Sequence, residues 1–189
     1  MSNEKVISTD TVASGLICGA RPSENALALG YFTIECLDKD GNVRWRDENH
    51  NLVVNVGLQY MCGTALTSTT QITSWFIGLY GAGASNTPAA GDTLATHAGW
   101  TEITPYAGSR PACTFAAATN ANPSVATNTA SPTSYSINAT ATVGGAFLCS
   151  AASGTSGTLF SAADFQSPGD RSVVSGDTLN VTYTLSLAG

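Results

Sequence analysis

Alternation of hydrophobic and polar residues with a period of two is the main pattern along this chain. From Leu29 to Leu37 the side chains of Phe32, Ile34 and Cys36 alternate with more polar neighbours, and the segment from Val43 to Asp47 alternates again. A period of two places successive side chains on opposite faces, which is typical of a half-buried strand. Both segments are therefore predicted to be strands.

The short segment between these two strands predicts a turn. Asp40 and Gly41 tolerate the positive φ angles that tight hairpin turns require, so the strands are expected to form a β-hairpin. Asp38, Asp40 and Asn42 at alternate positions also resemble the start of a calcium-binding loop. Such a loop needs a glutamate at its twelfth position, where this chain has Asn49. The hairpin interpretation is favoured over a calcium site.

The period changes between Asn51 and Leu66. Apolar residues there recur at intervals of three and four, which is typical of one face of a helix. We predict a single short helix near residues 56 to 66, with Asn55 as its N-cap. The predicted apolar stripe consists of Leu58, Met61, Cys62, Ala65 and Leu66.

Further runs typical of strands follow, separated by residues that favour turns. They are Ile72 to Tyr80, Thr101 to Tyr106, Ala112 to Ala118, Ser134 to Thr142, Ala146 to Cys149, Thr158 to Ala162 and Thr178 to Leu187. The last run is the clearest, because Leu179, Val181, Tyr183, Leu185 and Leu187 form an entirely apolar face. Residues 81–94 and 119–133 are predicted to be long loops.

Many short strands with a single helix favour an all-β fold over a parallel α/β sheet, which needs a helix after each strand. We predict an antiparallel β-sandwich with one short helix and an extended N-terminal arm. The arm spans residues 1–28 and the sandwich domain spans residues 29–189. Apolar residues in the arm are too irregular for an amphipathic helix and too numerous for a solvated tail; among them are Val6, Ile7, Val12, Leu16 and Ile17.

Composition narrows the classes of partner. Hydrophobic residues make up 43% of the chain, charged residues 11%, and the net charge is -6. This balance argues against disorder and against nucleic-acid binding. No apolar stretch is long enough to span a membrane, and the N-terminus lacks the pattern of a secretory signal. A soluble protein made in the cytoplasm, with neither nucleic acid nor membrane as a partner, is expected.

Five cysteines lie at wide intervals, namely Cys18, Cys36, Cys62, Cys113 and Cys149. Their odd number and the absence of paired spacing predict free thiols rather than a disulfide framework. Free cysteine is among the most buried residue types, so most of the five are expected in the core.

Residue types that carry chemistry are sparse. His50 and His97 are far apart in sequence and match no zinc motif, and no serine stands in a nucleophile motif. The carboxylates of Glu35 and Glu48, or of Asp47 and Glu48, are expected on the exposed face and rim of the first hairpin rather than in a glycosidase site. We therefore predict no catalytic residue, metal, cofactor or small-molecule substrate, and the chain is not expected to be an enzyme.

Tryptophan supplies one candidate contact residue outside the arm. The side chains of Trp45 and Trp75 have the phase of core positions, whereas Trp100 follows a long loop. A core or interface position is favoured for Trp100 over a sugar-binding surface. Trp100 is kept, with the five arm residues named above, as a candidate interaction residue.

Several segments together resemble small virion structural proteins of tailed bacteriophages. The resemblance covers residues 29 to 187 and begins with His50 to Leu58 (HNLVVNVGL), followed by an apolar helix and Trp75 to Gly81 (WFIGLYG). Its later segments are AGDTL at 90–94, GWTEI at 99–103, ATVGGAFL at 141–148 and SGDTLNV at 175–181.

This resemblance implies a capsid decoration, or cement, protein on the exterior of the virion. The expected partners are the major capsid protein and other copies of the chain itself. The arm is then expected to attach to capsid subunits or neighbouring copies as an added strand. Two alternatives remain open: a head-fibre or tail-associated adhesin that binds a receptor or glycan, and a glycan-degrading enzyme.

Overall fold

Twelve strands and one helix make up the part of the chain that this computed structural model describes, residues 26–82, 87–165 and 169–189. The elements in chain order are β1 (Leu27–Leu37), β2 (Val43–His50), β3 (Leu52–Val53), α1 (Asn55–Leu66), β4 (Trp75–Gly81), β5 (Glu102–Ile103), β6 (Ala112–Cys113), β7 (Ser124–Thr127), β8 (Thr133–Ser136), β9 (Ala141–Cys149), β10 (Leu159–Asp164), β11 (Arg171–Val173) and β12 (Thr178–Ala188). The strands form two antiparallel sheets.

The first sheet has the strand order β2-β1-β12-β7, and β8 also pairs with β12. Strands β1 and β12 pair along their whole length, from Leu27 opposite Ala188 to Leu37 opposite Thr178. The predicted apolar face of β12 is confirmed at Leu179, Val181 and Tyr183, which are buried. Its last residue, Leu187, differs because the side chain is 43% exposed.

The predicted hairpin is confirmed by β1, β2 and the turn between them. Asp38 Oδ1 accepts hydrogen bonds from the backbone amides of Asp40, at 2.9 Å, and Asn42, at 2.8 Å. Hydrogen bonding from Asn42 holds the pKa of the Asp38 carboxyl below its usual value. Gly41 has a φ of 84°, as the turn requires. The calcium-like spacing therefore serves the turn.

The second sheet has the strand order β3-β10-β9-β4-β5, with β11 paired to β9 and β6 paired to β4. The main core lies between the sheets, where Phe32 and Ile34 of the first sheet and Leu79 of the second are fully buried. The Tyr135 hydroxyl of β8 donates a hydrogen bond to the Ile77 carbonyl of β4 at 2.7 Å. The predicted all-β sandwich is thus confirmed.

A second apolar cluster covers the other face of the second sheet. It contains Tyr80, Trp100, Phe147 and Leu159, and the segment before β5 contributes Leu94. Strand β9 is consequently buried on both faces, which explains why its sequence does not alternate.

The helix is present, but its predicted N-cap and its predicted buried face are wrong. The N-cap is Val54, whose side chain makes no capping bond, and Asn55 is already helical. The fully buried helix residues are Gly57 and Gly63. A Cβ added at Gly57 would lie 2.2 Å from the Phe160 carbonyl oxygen of β10. The helix approaches β10 most closely at Gly57, which has no side chain, while Val56, Tyr60 and Met61 pack against the apolar clusters. Most of the predicted stripe therefore faces outward.

Other sequence-based boundaries also change. The predicted loop at residues 119–133 contains β7, whose residues are only partly buried and pair with β12. The predicted break within residues 141–149 is absent, because Gly144 and Gly145 lie inside the continuous strand β9. The first strand begins at Leu27 rather than at residue 29, and the predicted arm otherwise lies outside the described residues, apart from Ala26.

Candidate interaction surfaces

Charge is distributed very unevenly along the chain. Residues 51–91 and 111–163 contain no aspartate, glutamate, lysine or arginine. These two stretches supply α1, β3, β4, β6, β7, β8 and β9 and most of β10. The charged residues near the turn between β1 and β2 lie at the end of the first sheet where β12 begins. The opposite end of that sheet faces uncharged segments.

An apolar groove of about 810 Å³ opens at this uncharged end. Tyr60 and Thr64 of α1 line it on one side, and Ala126 and Leu187 of the first sheet on the other. Among the lining residues, all of them in the described part of the chain, none carries a charge. We call this feature the end groove.

The end groove exists because the sandwich is open there. Leu187 lies on the same face of β12 as Tyr183, since alternate residues share a face. Tyr183 is 1% exposed, whereas Leu187 is 43% exposed. The inner face of the first sheet therefore extends past the part that the second sheet covers.

A second uncharged surface is the outward side of α1, formed by Leu58, Cys62, Ala65 and Leu66. All four residues are exposed, Leu58 to 42% and Leu66 to 83%. We call this surface the outer helix face. It contains four of the five residues that the sequence predicted as a buried stripe. Two exposed leucines on a helix without a charged residue make this face a candidate contact surface.

An ion pair at the charged end of the molecule centres on Asp177. Asp177, which is buried, accepts hydrogen bonds from the Arg44 guanidinium and, at 2.9 Å, from the Val174 backbone amide. The Cys36 thiol lies 3.6 Å from the same carboxylate. Burial, and then the negative charge of Asp177, raises the pKa of Cys36 to about 12. The thiol is therefore protonated at neutral pH and is not a nucleophile.

Arg110 forms a second buried ionic cluster. Its guanidinium donates two parallel hydrogen bonds to Glu102, at 2.7 and 2.6 Å, and further bonds to the carbonyls of Ala151 and Gly154. It also lies 5.2 Å from the ring centroid of Phe147. These contacts hold the segment after β9 against β5, so this arginine serves the fold rather than an anion site.

Trp100 has a core position. The side chain is 4% exposed, and its Nε1 donates a hydrogen bond to Asp92 Oδ2 at 3.0 Å. The His97 ring stacks on the indole with centroids 3.7 Å apart. The indole therefore packs in the second apolar cluster of its own domain. The five arm candidates, Val6, Ile7, Val12, Leu16 and Ile17, lie outside the described residues.

The carboxylates considered as catalytic or metal-binding groups do not form a common site in the described residues. Asp47 pairs with Arg171 at 3.2 Å, and Glu48 accepts a hydrogen bond from Thr33, so each carboxylate has its own partner. Nowhere in residues 26–82, 87–165 or 169–189 do three or more His, Cys, Asp or Glu residues group as metal ligands would. The described helix is too short to cross a membrane.

The four described cysteines are free thiols. Cys36, Cys113 and Cys149 are buried, and Cys62 is exposed on the outer helix face. Burial raises the pKa of Cys113 to about 12 as well. Cys18 lies outside the described residues.

Sequence reasoning missed both uncharged surfaces. Helical spacing identified the leucines of α1 but not the direction in which they point, because that depends on the contact of Gly57 with β10. The signal that does mark these surfaces is the absence of charge from two long stretches of sequence.

Comparison of the chain with models of protein families, with curated proteins and with solved structures gives no match.

Proposed function

We propose that the protein is a non-enzymatic virion structural protein that decorates and stabilises a phage capsid. Its partner is the lattice of the major capsid protein, and its place is the capsid exterior. The proposal starts from the sequence segments that resemble small virion proteins. The outer helix face is the structural observation that carries it.

This face suits attachment to a protein surface. Leu58 and Leu66 project from a helix without a charged residue. A partner that covers them would bury apolar area without the cost of desolvating a charged group. A stable interface needs about 800 Å² from each partner, more than one helix face supplies. The exposed residues 67–71, which are also uncharged, extend the surface beside it.

The test is decoration of particles that lack the protein. Full-length protein is added to undecorated capsids, and bound copies are counted by gel densitometry after the particles are separated from free protein. We expect saturation at a copy number fixed by the capsid lattice. Low copy number together with binding to a glycan array supports an adhesin instead, and release of reducing sugar supports an enzyme.

A pair of variants ties attachment to the outer helix face. Leu66→Glu introduces a charge at a residue that is 83% exposed, so we expect the fold to be retained and capsid affinity to fall at least tenfold. Val43→Glu is the matched control, since Val43 is 58% exposed at the charged end of the molecule. Equal affinity of both variants and the wild type would remove the outer helix face from the proposal.

A further inference from the structure

We propose that the end groove binds residues 11–20 of the same chain, the uncharged middle of the N-terminal segment. This inference is independent of the proposed function, because it concerns how the chain completes its own fold.

The end groove presents inner-face side chains that the sandwich leaves uncovered. Leu187 and Phe115 line it together with Trp75. The volume of about 810 Å³ falls within the range of about 300–1,000 Å³ that is usual for pockets enclosing an apolar ligand. Its lining carries no charge, so an uncharged, apolar occupant fits it.

The chain itself enters the fold beside the groove. Leu27 is paired with Ala188, and Ala28 with Leu187, which is a lining residue. The segment that precedes Ala26 therefore joins the sandwich at the mouth of the groove. Ile17 precedes Ala26 by nine positions, and an extended chain of that length spans roughly 30 Å. Residues 11–20 can thus reach the whole groove.

The composition of residues 11–20 matches the lining. The segment TVASGLICGA has no charged side chain and carries Val12, Leu16 and Ile17. Charged residues flank it at Asp10 and Arg21. A tethered segment this short has an effective local concentration of about millimolar, which favours the chain's own segment over that of a second copy.

Disulfide trapping with the full-length chain tests the inference, because Cys18 lies within the segment. Cys113 also lines the groove, so in a background of Cys62→Ser and Cys113→Ala the substitution Ala126→Cys supplies the test thiol there. Ser186→Cys is the matched control, since it lies next to Leu187 on the opposite face of β12. We expect mild oxidation to link Cys18 to position 126 within one chain, at least tenfold more than to position 186, with peptide mapping identifying the partners.

Each alternative result overturns the inference. Bonds between two chains that increase with protein concentration would assign the groove to a second copy. Equal trapping at positions 126 and 186, or none at either, would show that residues 11–20 do not occupy the groove. Adding Leu187→Glu to the Ala126→Cys variant should lower trapping several-fold, and unchanged trapping would show that the apolar lining does not hold the segment.

Hydrogen exchange supplies a measurement without new cysteines. In the full chain, Leu16→Glu combined with Ile17→Glu should increase exchange at residues 112–118 at least fivefold while leaving β9 unchanged. Unchanged exchange at residues 112–118 would contradict occupancy of the groove.

Discussion

Gly145 shows how a single missing side chain sets the spacing of the second sheet. A Cβ at this position would lie 2.1 Å from Tyr80 Cζ and 2.3 Å from the Ala163 carbonyl oxygen. The tyrosine ring therefore lies directly over the glycine, and the neighbouring strand leaves no room on the other side. Glycine is retained inside this strand for close packing rather than for a turn.

We expect Gly145→Ala to lower the free energy of unfolding by about 3 kcal/mol, because a backbone oxygen cannot move aside as a side chain can. Urea denaturation followed by circular dichroism measures this change. Gly91→Ala is the control, since nothing lies within 4 Å of its added Cβ, and it should shift stability by less than about 0.5 kcal/mol. Similar values for the two variants would contradict the packing argument.

Two buried thiols make the free energy of unfolding depend on pH in the alkaline range. The pKa values of Cys36 and Cys113 are raised from 9.0 to about 12 in the folded chain, in both cases chiefly by burial. Between pH 9 and 12 the folded state keeps protons that the unfolded chain releases. The contribution of these two thiols to the free energy of unfolding is therefore complete below pH 9. It is lost as the pH rises from 9 to 12.

Cys113→Ala should reduce the slope of unfolding free energy against pH by about 1.4 kcal/mol per pH unit between pH 9.5 and 11.5. The measurement is urea denaturation at a series of pH values. Wild-type protein measured over the same pH series is the reference. A wild-type slope in the Cys113 variant would mean that this thiol does not hold its proton in the folded state.

Helix α1 shows how a contact between elements can outweigh a local preference. Alanine favours a helix over glycine by about 1 kcal/mol, yet Gly57 faces the Phe160 carbonyl oxygen. Gly63 faces the side chain of Thr69, whose Oγ1 would lie 2.5 Å and Cβ 3.1 Å from an added Cβ, and no backbone oxygen lies as close.

Gly57→Ala should therefore destabilise the protein by about 2 kcal/mol despite its higher helix propensity. Gly63→Ala should change stability by less than about 1 kcal/mol in either direction. Thermal or urea unfolding of the two variants gives the comparison. Stabilisation by Gly57→Ala would show that α1 lies farther from β10 than the structure places it.

The sequence predicts the strands in which one face is buried and the other is exposed to solvent. In β1 and β12 one face meets the core and the other meets water, so alternation alone identified both strands. Strand β9 is covered on both sides and has two central glycines, so its pattern suggested a break that does not exist. Strand β7 is only partly buried on either face, so its sequence carries no period.

The candidate surfaces were harder to predict for a related reason. Spacing identified the apolar residues of α1, but only the packing of Gly57 against β10 shows that Leu58 and Leu66 point outward. The end groove depends on where the second sheet stops relative to Leu187, a property of two distant segments that no local pattern contains.

At the scale of the whole molecule, the described residues form a charged end and an uncharged end. Exposed Arg44 pairs with buried Asp177 near the start of β12, whereas uncharged residues line the groove at its far end. Salt screens attraction between exposed charges but leaves apolar burial largely intact. The two ends therefore give different salt dependence to any interface built on them.

Under the proposed function, capsid decoration should depend little on ionic strength. Raising sodium chloride from 50 to 500 mM should change the dissociation constant for capsids by less than about twofold, because the outer helix face carries no charge. Sedimentation of particles with bound protein across a salt series measures this. A tenfold weakening would place attachment at the charged end instead.

The pairing of β1 with β12 also sets how the chain reaches its native state. Phe32 is aligned with Tyr183, and the two rings pack with centroids 4.8 Å apart, although most of the sequence separates them. Because β12 also pairs with β7 and β8, the first sheet lacks its centre until β12 is in place. Such long-range closure is entropically costly and slow, so refolding should take milliseconds to seconds and show one cooperative phase for the first sheet. A chain still emerging from the ribosome would hold β1 and β2 as an isolated hairpin, exposed to aggregation until its distant partner arrives.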